Sequence, residues 1–380
     1  MGVMGTAWLC RLFARIAFAA IGCWFTMNAA AEATRSVPVI YCTDLFHPHD
    51  DPDDHFDLAT LYAMSELDIK AIVLDQGRKQ LERPGRIPVS QLNKITGRNV
   101  PAVIGLATPL KSPGDMALDQ PPEFQRGVEL IVQTLRASPK RVCIATLGSV
   151  RDVVSAYNRE PRLFQTNVAM VLSFIGEASD ANLREYNVTL DPQAYIGLMR
   201  SGLPVYWVPC FDGGLWQNRG HSSFWRASHR ALLVQVTPEV VQFFVYALDK
   251  ETSEPLAFLS RPIDPERQAR LFAGTRNLWC AAVLGVMSGR EVVPDRGKWC
   301  SVLPGSIPTT PGATREALFG FSEVGVSVNG AGAVSYGKGP TSHKLKRFEV
   351  REPAHYEQGM TEATADLLSS LGHKGDGSSR

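Results

Sequence analysis

Short apolar runs rich in β-branched residues recur along this chain, and each is followed by a stretch whose apolar residues return at helical spacing. That alternation constrains the fold more than any other feature. The runs at 37–42, 71–74, 102–105, 142–146, 168–175 and 205–208 read as strands. The segments at 56–64, 90–96, 124–136, 150–157 and 192–200 read as helices, the last with Asp191 as N-cap and Pro192 at its first position. Apolar strands joined by helices predict an α/β fold, a mostly parallel sheet with helices on both faces. Further helices are predicted at 238–248, 264–288 and 361–371, and β-leaning stretches at 327–336 and 346–350. The segment 211–230, rich in Gly, Trp, His and Ser, reads as a long loop, either a lid or surface decoration. Residues 37–371 are expected to form one domain, and the Gly/Ser-rich tail from 372 to be disordered.

Composition narrows the setting. With 44% hydrophobic residues among 380, the chain can bury a large core. A formal net charge of +1 argues against nucleic acid as a partner, because phosphate binding calls for a basic face. At the N-terminus, Arg11 and Arg15 precede an apolar run at 16–27, and Ala29, Ala30 and Ala31 offer a small-residue cleavage region. Residues 1–32 therefore read as a signal peptide, which predicts an exported protein, periplasmic or extracellular, off the membrane once the signal is cleaved. The rival reading is an uncleaved anchor; the run is short for a full span. Of the seven cysteines, Cys10 and Cys23 lie in that signal. The others, Cys42, Cys143, Cys210, Cys280 and Cys300, are far apart and form no CxxC pair, which disfavours a zinc site. One disulfide is compatible with an oxidising compartment. Self-association into a homo-oligomer is left open.

The first strand runs straight into an acidic stretch. Asp44 ends it, and Asp50, Asp51, Asp53 and Asp54 lead into the next helix, which carries Asp57. Carboxylates this close repel unless a cation or proton intervenes. A hard divalent cation takes several oxygen ligands, so the cluster suits Ca²⁺ or Mg²⁺. A helix N-cap needs one carboxylate, not this many. In open parallel sheets ligands sit beyond the carboxyl ends of the strands, which is where these residues fall. His47 and His49 read as ordinary loop histidines.

These residues resemble the N-terminal signature of the calcium-dependent nucleoside hydrolases: a strand ending in Asp, a turn, then an Asp-Asp pair opening a helix. Asp44, Asp53 and Asp54 match it, with the turn expanded so that Asp50 and Asp51 stand as alternatives to the pair. Gly97-Arg98-Asn99-Val100-Pro101-Ala102-Val103 looks like the approach to the family's third strand. Leu147-Gly148-Ser149-Val150-Arg151-Asp152 is similar to the segment whose backbone carbonyl ligates calcium, which implies that role for Leu147. Glu185-Tyr186-Asn187, followed by Asp191-Pro192, resembles the run whose Glu and Asn hold sugar hydroxyls. The spacing of Glu185 and Asn187 would put them on one face of an extended segment. The likeness in order and spacing covers most of residues 37–371. It implies a Ca²⁺ held by Asp44, Asp53, Asp54 and the Leu147 carbonyl, with Asp44 as catalytic base. Glu185, Asn187, Asn182, Arg78 and Trp279 are then expected to face the substrate.

The chain also departs from the family's pattern. A His-Asp pair near the C-terminus of family members helps the leaving base depart and ligates calcium; Trp279 and Cys280 stand in its place. A thiol is a poor ligand for a hard cation. Trp279 cannot act as an acid, although it can stack on a flat ring. Arg78 stands near the family's Asn after the second strand. Two readings follow. One is a divergent enzyme hydrolysing an N-glycosidic or related bond of a ribose-like nucleoside or glycoside. The other is an exported nucleoside- or sugar-binding protein without turnover on the same fold.

Overall fold

The computed structural model describes residues 36–179, 184–306, 316–330, 334–336 and 343–373. The expected signal peptide, Asn182 and the chain after residue 373 lie outside them. Six strands lead the fold: β1 (Val37–Thr43), β2 (Leu67–Leu74), β3 (Ala102–Ile104), β4 (Val142–Thr146), β5 (Val168–Phe174) and β6 (Val205–Val208). They are followed by β7 (Trp225–Ser228), β8 (Thr275–Leu278), β9 (Glu291–Asp295), β10 (Lys298–Val302), β11 (Phe319–Val328), β12 (Val334–Tyr336) and β13 (His343–Val350). The main sheet has the order β12-β11-β13-β6-β5-β4-β1-β2-β3. Every pairing from β3 across to β13 is parallel, and β11 runs antiparallel to both β13 and β12. Among the described residues no helix is long and apolar enough to cross a membrane.

Successive residues of β1 serve opposite faces of the sheet, as a pleated strand requires. Val39 and Tyr41 join one core with Phe56, Leu58 and Leu61 of α1 (Asp53–Ala63). Val89 and Leu92 of α2 (Arg86–Thr96) pack on the same side. Ile40 and Cys42 join the other, with Val128 and Ile131 of α3 (Arg126–Ala137) and Val153 of α4 (Arg151–Arg159). Ala194 and Leu198 of α5 (Pro192–Arg200) complete that side. The chain is therefore α/β, with a mostly parallel sheet covered on both faces. The strand order reverses between β1 and β4, so the connections that leave these two strands depart to opposite faces of the sheet and open a crevice at that point.

Three stretches differ from the pattern expected. The helix predicted over 264–288 is instead a helix at Pro265–Ala273, then β8, then a 3₁₀ helix at Ala281–Ser288. Gly274 breaks it: a Cβ there would lie 2.5 Å from the His229 ring, and past this contact the chain pairs with β7. The loop read over 211–230 contains β7, and the last helix, Tyr356–Ser370, starts earlier than predicted.

Asp191 ties this scaffold together on the α5 side. It caps α5 by accepting from the Ala194 N–H at 2.9 Å, and it accepts from the Leu110 N–H at 2.8 Å. It also lies 3.6 Å from the buried Arg151 guanidinium. Removing one partner of a buried ion pair strands the other charge, so Asp191→Ala is expected to lower the unfolding free energy by about 3 kcal/mol. Urea denaturation measures this; a loss below ~1 kcal/mol would mean that Asp75, also near Arg151, suffices as its partner.

Candidate active site at the β1–β4 crevice

The tips of β1, β2 and β4 are pinned together by backbone hydrogen bonds. The Asp75 N–H donates to the Thr43 carbonyl at 2.8 Å, and the Leu147 N–H donates to the Cys42 carbonyl at 2.8 Å. Gly148 lets β4's end come this close, since a Cβ there would sit 2.8 Å from the Asp75 carboxylate and 3.3 Å from the Asp44 nitrogen. Beyond it, Val150 caps α4 at φ 55°, a conformation that costs a β-branched residue about 1–3 kcal/mol and recurs where backbones are bent to a task. The Ser149 N–H donates to Asp75 at 2.7 Å and holds that bend in place.

Above these tips lies a cavity of about 540 Å³. Asp44, Asp53, Asp54, Asp57, Glu185 and Leu147 line its inner part. Asp53 and Asp54 open α1, where the helix N-terminus favours negative charge. Thr43 donates its hydroxyl to Asp54 at 2.9 Å, and Gln76 donates its amide to Asp44 at 3.3 Å. Asp57 accepts from the Ala281 N–H at 2.7 Å and from the Cys280 thiol. Burial, reinforced by Asp75, raises the Asp44 carboxyl to about 7. Burial likewise raises Asp57 to about 7, against the pull of the Ala281 N–H. Asp53 and Asp54 are pushed well above the ordinary range by burial, then by their acidic neighbours, Asp51 for the first and Asp44 for the second.

Most of the residues expected at the site converge here. Glu185, Asn187 and Trp279 line the same cavity as the aspartates and Leu147. Glu185 and Asn187 do not share an extended segment, however. Glu185 is the N-cap of a short helix, Tyr186–Leu190, and accepts from the N–H groups of Asn187 at 2.8 Å, Gly176 at 2.9 Å and Val188 at 3.3 Å. The Cys210 thiol adds a fourth donor, and together these groups fix both carboxylate oxygens in place. Asn187 donates to the Phe174 carbonyl at 3.2 Å.

Arg78 is not brought to the site. It is exposed on the turn Gly77–Gln80, outside the cavity lining. Gly77 packs inward, its missing Cβ replaced by the Gly105 carbonyl at 2.1 Å, which turns the next residue outward. Gln76 takes the inner position, in a left-handed conformation at φ 55°. Asp50 and Asp51 lie on the rim, engaged by cations: Lys79 and Arg83 pair with Asp50, and Arg276 pairs with Asp51 at 3.0 Å. Their role as alternatives to the Asp53-Asp54 pair is therefore set aside. His47, His49 and His55 pack behind the acidic loop against Tyr246 and Phe243, away from the cavity. Sequence reasoning set Asp57 at the end of the acidic cluster without a role of its own, and it missed Gln76, which reaches Asp44, as well as Tyr186, Phe211 and Trp216 in the lining. Asp57 was legible, one helical turn after Asp53 and so on the same face.

Residues 43–257 match the family model for inosine-uridine preferring nucleoside hydrolases. The chain belongs to that family. The pyrimidine-specific ribonucleoside hydrolase RihA of Citrobacter koseri is 27% identical over 188 residues, 45% of this chain and 59% of the relative. The protein of that name from Salmonella typhimurium is 28% identical over 189 residues, with the same coverage. The chain thus spans about three-fifths of the length of the curated relatives it matches. Among solved structures, the plant nucleoside hydrolase PpNRh1 shares the fold, with a TM-score of 0.53 at 14% identity over 89% of this chain and 99% of that one.

Nucleoside hydrolases are generally calcium-dependent. The donor set here fits such an ion in kind: hard carboxylate oxygens, buried, and in mutual repulsion. Among the described residues no group of three or more His, Cys, Asp or Glu side chains is already drawn together closely enough to hold a metal. An ion would have to gather the carboxylates against their own repulsion.

Burial, with that repulsion added to it, has a measurable sign. Asp44 and Asp57 titrate near 7 in the fold, against an ordinary value of 3.8. Between those values the folded chain holds protons that the unfolded chain has released. The contribution of these two groups to the stability of the metal-free protein is therefore greatest below the ordinary carboxylate range and falls as pH rises towards about 7, by on the order of 1 kcal/mol per pH unit per group. Melting temperatures in chelator from pH 4 to 8 should show that decline, and Asp57→Asn should flatten it. An Asp57→Asn curve parallel to that of the wild type would refute the assignment.

Proposed function

We propose that this protein hydrolyses the N-glycosidic, or a related glycosidic, bond of a ribose-like substrate in the β1–β4 crevice. The observation that carries this reading is the convergence of Asp44, Asp53, Asp54 and the Leu147 segment with Glu185 and Asn187 around one cavity. Asp44, Asp53, Asp54 and the Leu147 carbonyl would hold Ca²⁺, which supplies the Lewis acidity that polarises a water and two sugar hydroxyls. Asp44, at the tip of β1 and on the cavity floor, takes the proton from the attacking water. Glu185, pre-set by its backbone donors, accepts from a sugar hydroxyl, and Asn187 beside it fixes the ring's orientation. The anomeric carbon passes through an oxocarbenium-like state, which the surrounding carboxylates favour electrostatically. In keeping with its N-terminal sequence, the enzyme would act outside the cytoplasm.

A second reading, a nucleoside- or sugar-binding protein without turnover, draws on the replacement of the family's His-Asp pair by Trp279 and Cys280. Both line the cavity, and neither supplies a proton to a leaving group or a hard ligand to a metal.

Calcium titration separates the readings when paired with reducing-sugar release from a panel of ribosides. Wild-type protein is expected to bind Ca²⁺ and release sugar. Asp54→Ala should weaken Ca²⁺ binding at least ~10-fold, since it deletes a charged ligand. Metal binding without release of any sugar would favour the binding protein, and no metal binding at all would defeat the calcium site in both.

A further inference from the structure

The cavity's outer end has a different chemistry from its floor. Phe211, Leu215, Trp216, Trp279 and Tyr186 line it, and Leu215, Trp216 and Tyr186 are among the exposed large apolar side chains of the surface. The Trp216 ring lies 6.0 Å from that of Trp279 and 5.4 Å from that of Phe211, and Trp216 is 51% exposed. This wall holds no imidazole or ammonium group to protonate a departing base. The Trp279 indole N–H is already given to the Cys210 carbonyl at 2.9 Å. Burial makes the Tyr186 hydroxyl a weaker acid than usual. Among the described residues no Lys, Arg or His lines the cavity, and the basic groups at its mouth, Lys79, Arg83 and Arg276, are each paired with Asp50 or Asp51. Aromatic faces beside an excess of carboxylates are an environment that attracts a delocalised cation.

We infer that the substrates are N-ribosides whose leaving group is a cationic nitrogen heteroaromatic, such as an N-ribosylpyridinium or an N7-alkylated purine riboside. This rests on the hydrolase reading above. A neutral purine or pyrimidine leaves as an anion unless an acid protonates it. A cationic heteroaromatic leaves as a neutral molecule. Water's oxygen bonds to the anomeric carbon, the carbon–nitrogen bond breaks, and its electron pair cancels the charge on the ring nitrogen. The water's proton passes to Asp44 and then to solvent. No second proton is needed, so the substitution at Trp279-Cys280 removes nothing that this reaction uses. The aromatic wall binds the flat cation, and the carboxylates favour its charge over that of a neutral base.

The test compares matched ribosides with the calcium-loaded, full-length protein: 7-methylguanosine against guanosine, N-ribosylnicotinamide against uridine, and p-nitrophenyl riboside as a neutral substrate with a good leaving group. The cationic member of each pair is expected to show a kcat/KM at least ~100-fold higher, the scale of the missing acid. Quenching of tryptophan fluorescence adds a readout without turnover. The 1-methylnicotinamide cation should bind ~10-fold more tightly than neutral nicotinamide, and Trp216→Leu should erase that preference. Equal turnover of cationic and neutral ribosides would overturn the inference and leave the hydrolase reading standing. Turnover of p-nitrophenyl riboside alone would do the same. No release from any member would overturn both.

Discussion

The mutual repulsion of buried carboxylates at the tips of β1 and the start of α1 is the constraint that the rest of the site answers to. Asp44, Asp53, Asp54 and Asp57 are held around one cavity, where burial first and their neighbours' charges second raise their proton affinity. An arrangement like this destabilises a metal-free fold at neutral pH, so the scaffold must compensate. It does so through the two apolar cores and through backbone hydrogen bonds that lock neighbouring strand tips. Local donors take up part of the remaining strain: the Thr43 hydroxyl, the Gln76 amide and the Ala281 N–H each reach one carboxylate. None of them is a full counter-charge. What they leave uncompensated is the driving force available to a bound cation.

The sheet order explains why this cluster faces a crevice rather than bulk solvent. With β4 and β2 on either side of β1, the connections after β1 and β4 leave toward opposite faces of the sheet. Asp44 and Leu147 therefore meet across a gap that no connection fills. Gly148 and the left-handed Val150 shape one lip of it, and Gln76 the other. Local backbone distortion in the loops after β2 and β4 is thus organised around one opening.

The parallel sheet was legible from sequence because buried parallel strands are apolar throughout, and β4, β6, α5 and the helix Pro238–Leu248 fall where the pattern placed them. The error at 264–288 had a clear origin. An apolar run there looks helical by periodicity, and only tertiary contact between Gly274 and His229 ends the helix and sends the chain into β8. At the site, Asp44, Asp53, Asp54, Leu147, Glu185, Asn187 and Trp279 were readable from motif order and do share a cavity. Arg78 was not, because which residue of a tight turn faces inward depends on a backbone packing against Gly77 that has no sequence period. Tyr186 and the aromatic wall come together from segments far apart in the chain, a proximity that a linear reading cannot supply.

The rim ion pairs give the cavity two mechanical regimes. Its floor is set by main-chain ladders and apolar packing, which dissolved ions hardly touch. Its mouth is tied by charge: the expanded acidic loop is fastened to the turn after β2 through Asp50 with Lys79 and Arg83, and to β8 through Asp51 with Arg276. Those side chains are partly exposed, and screening acts over about 8 Å at physiological ionic strength. The aperture is therefore the part of the cavity on which screening by salt acts most directly. In a compartment whose salt varies with the surroundings, entry and exit would respond to ionic strength before the carboxylate floor did.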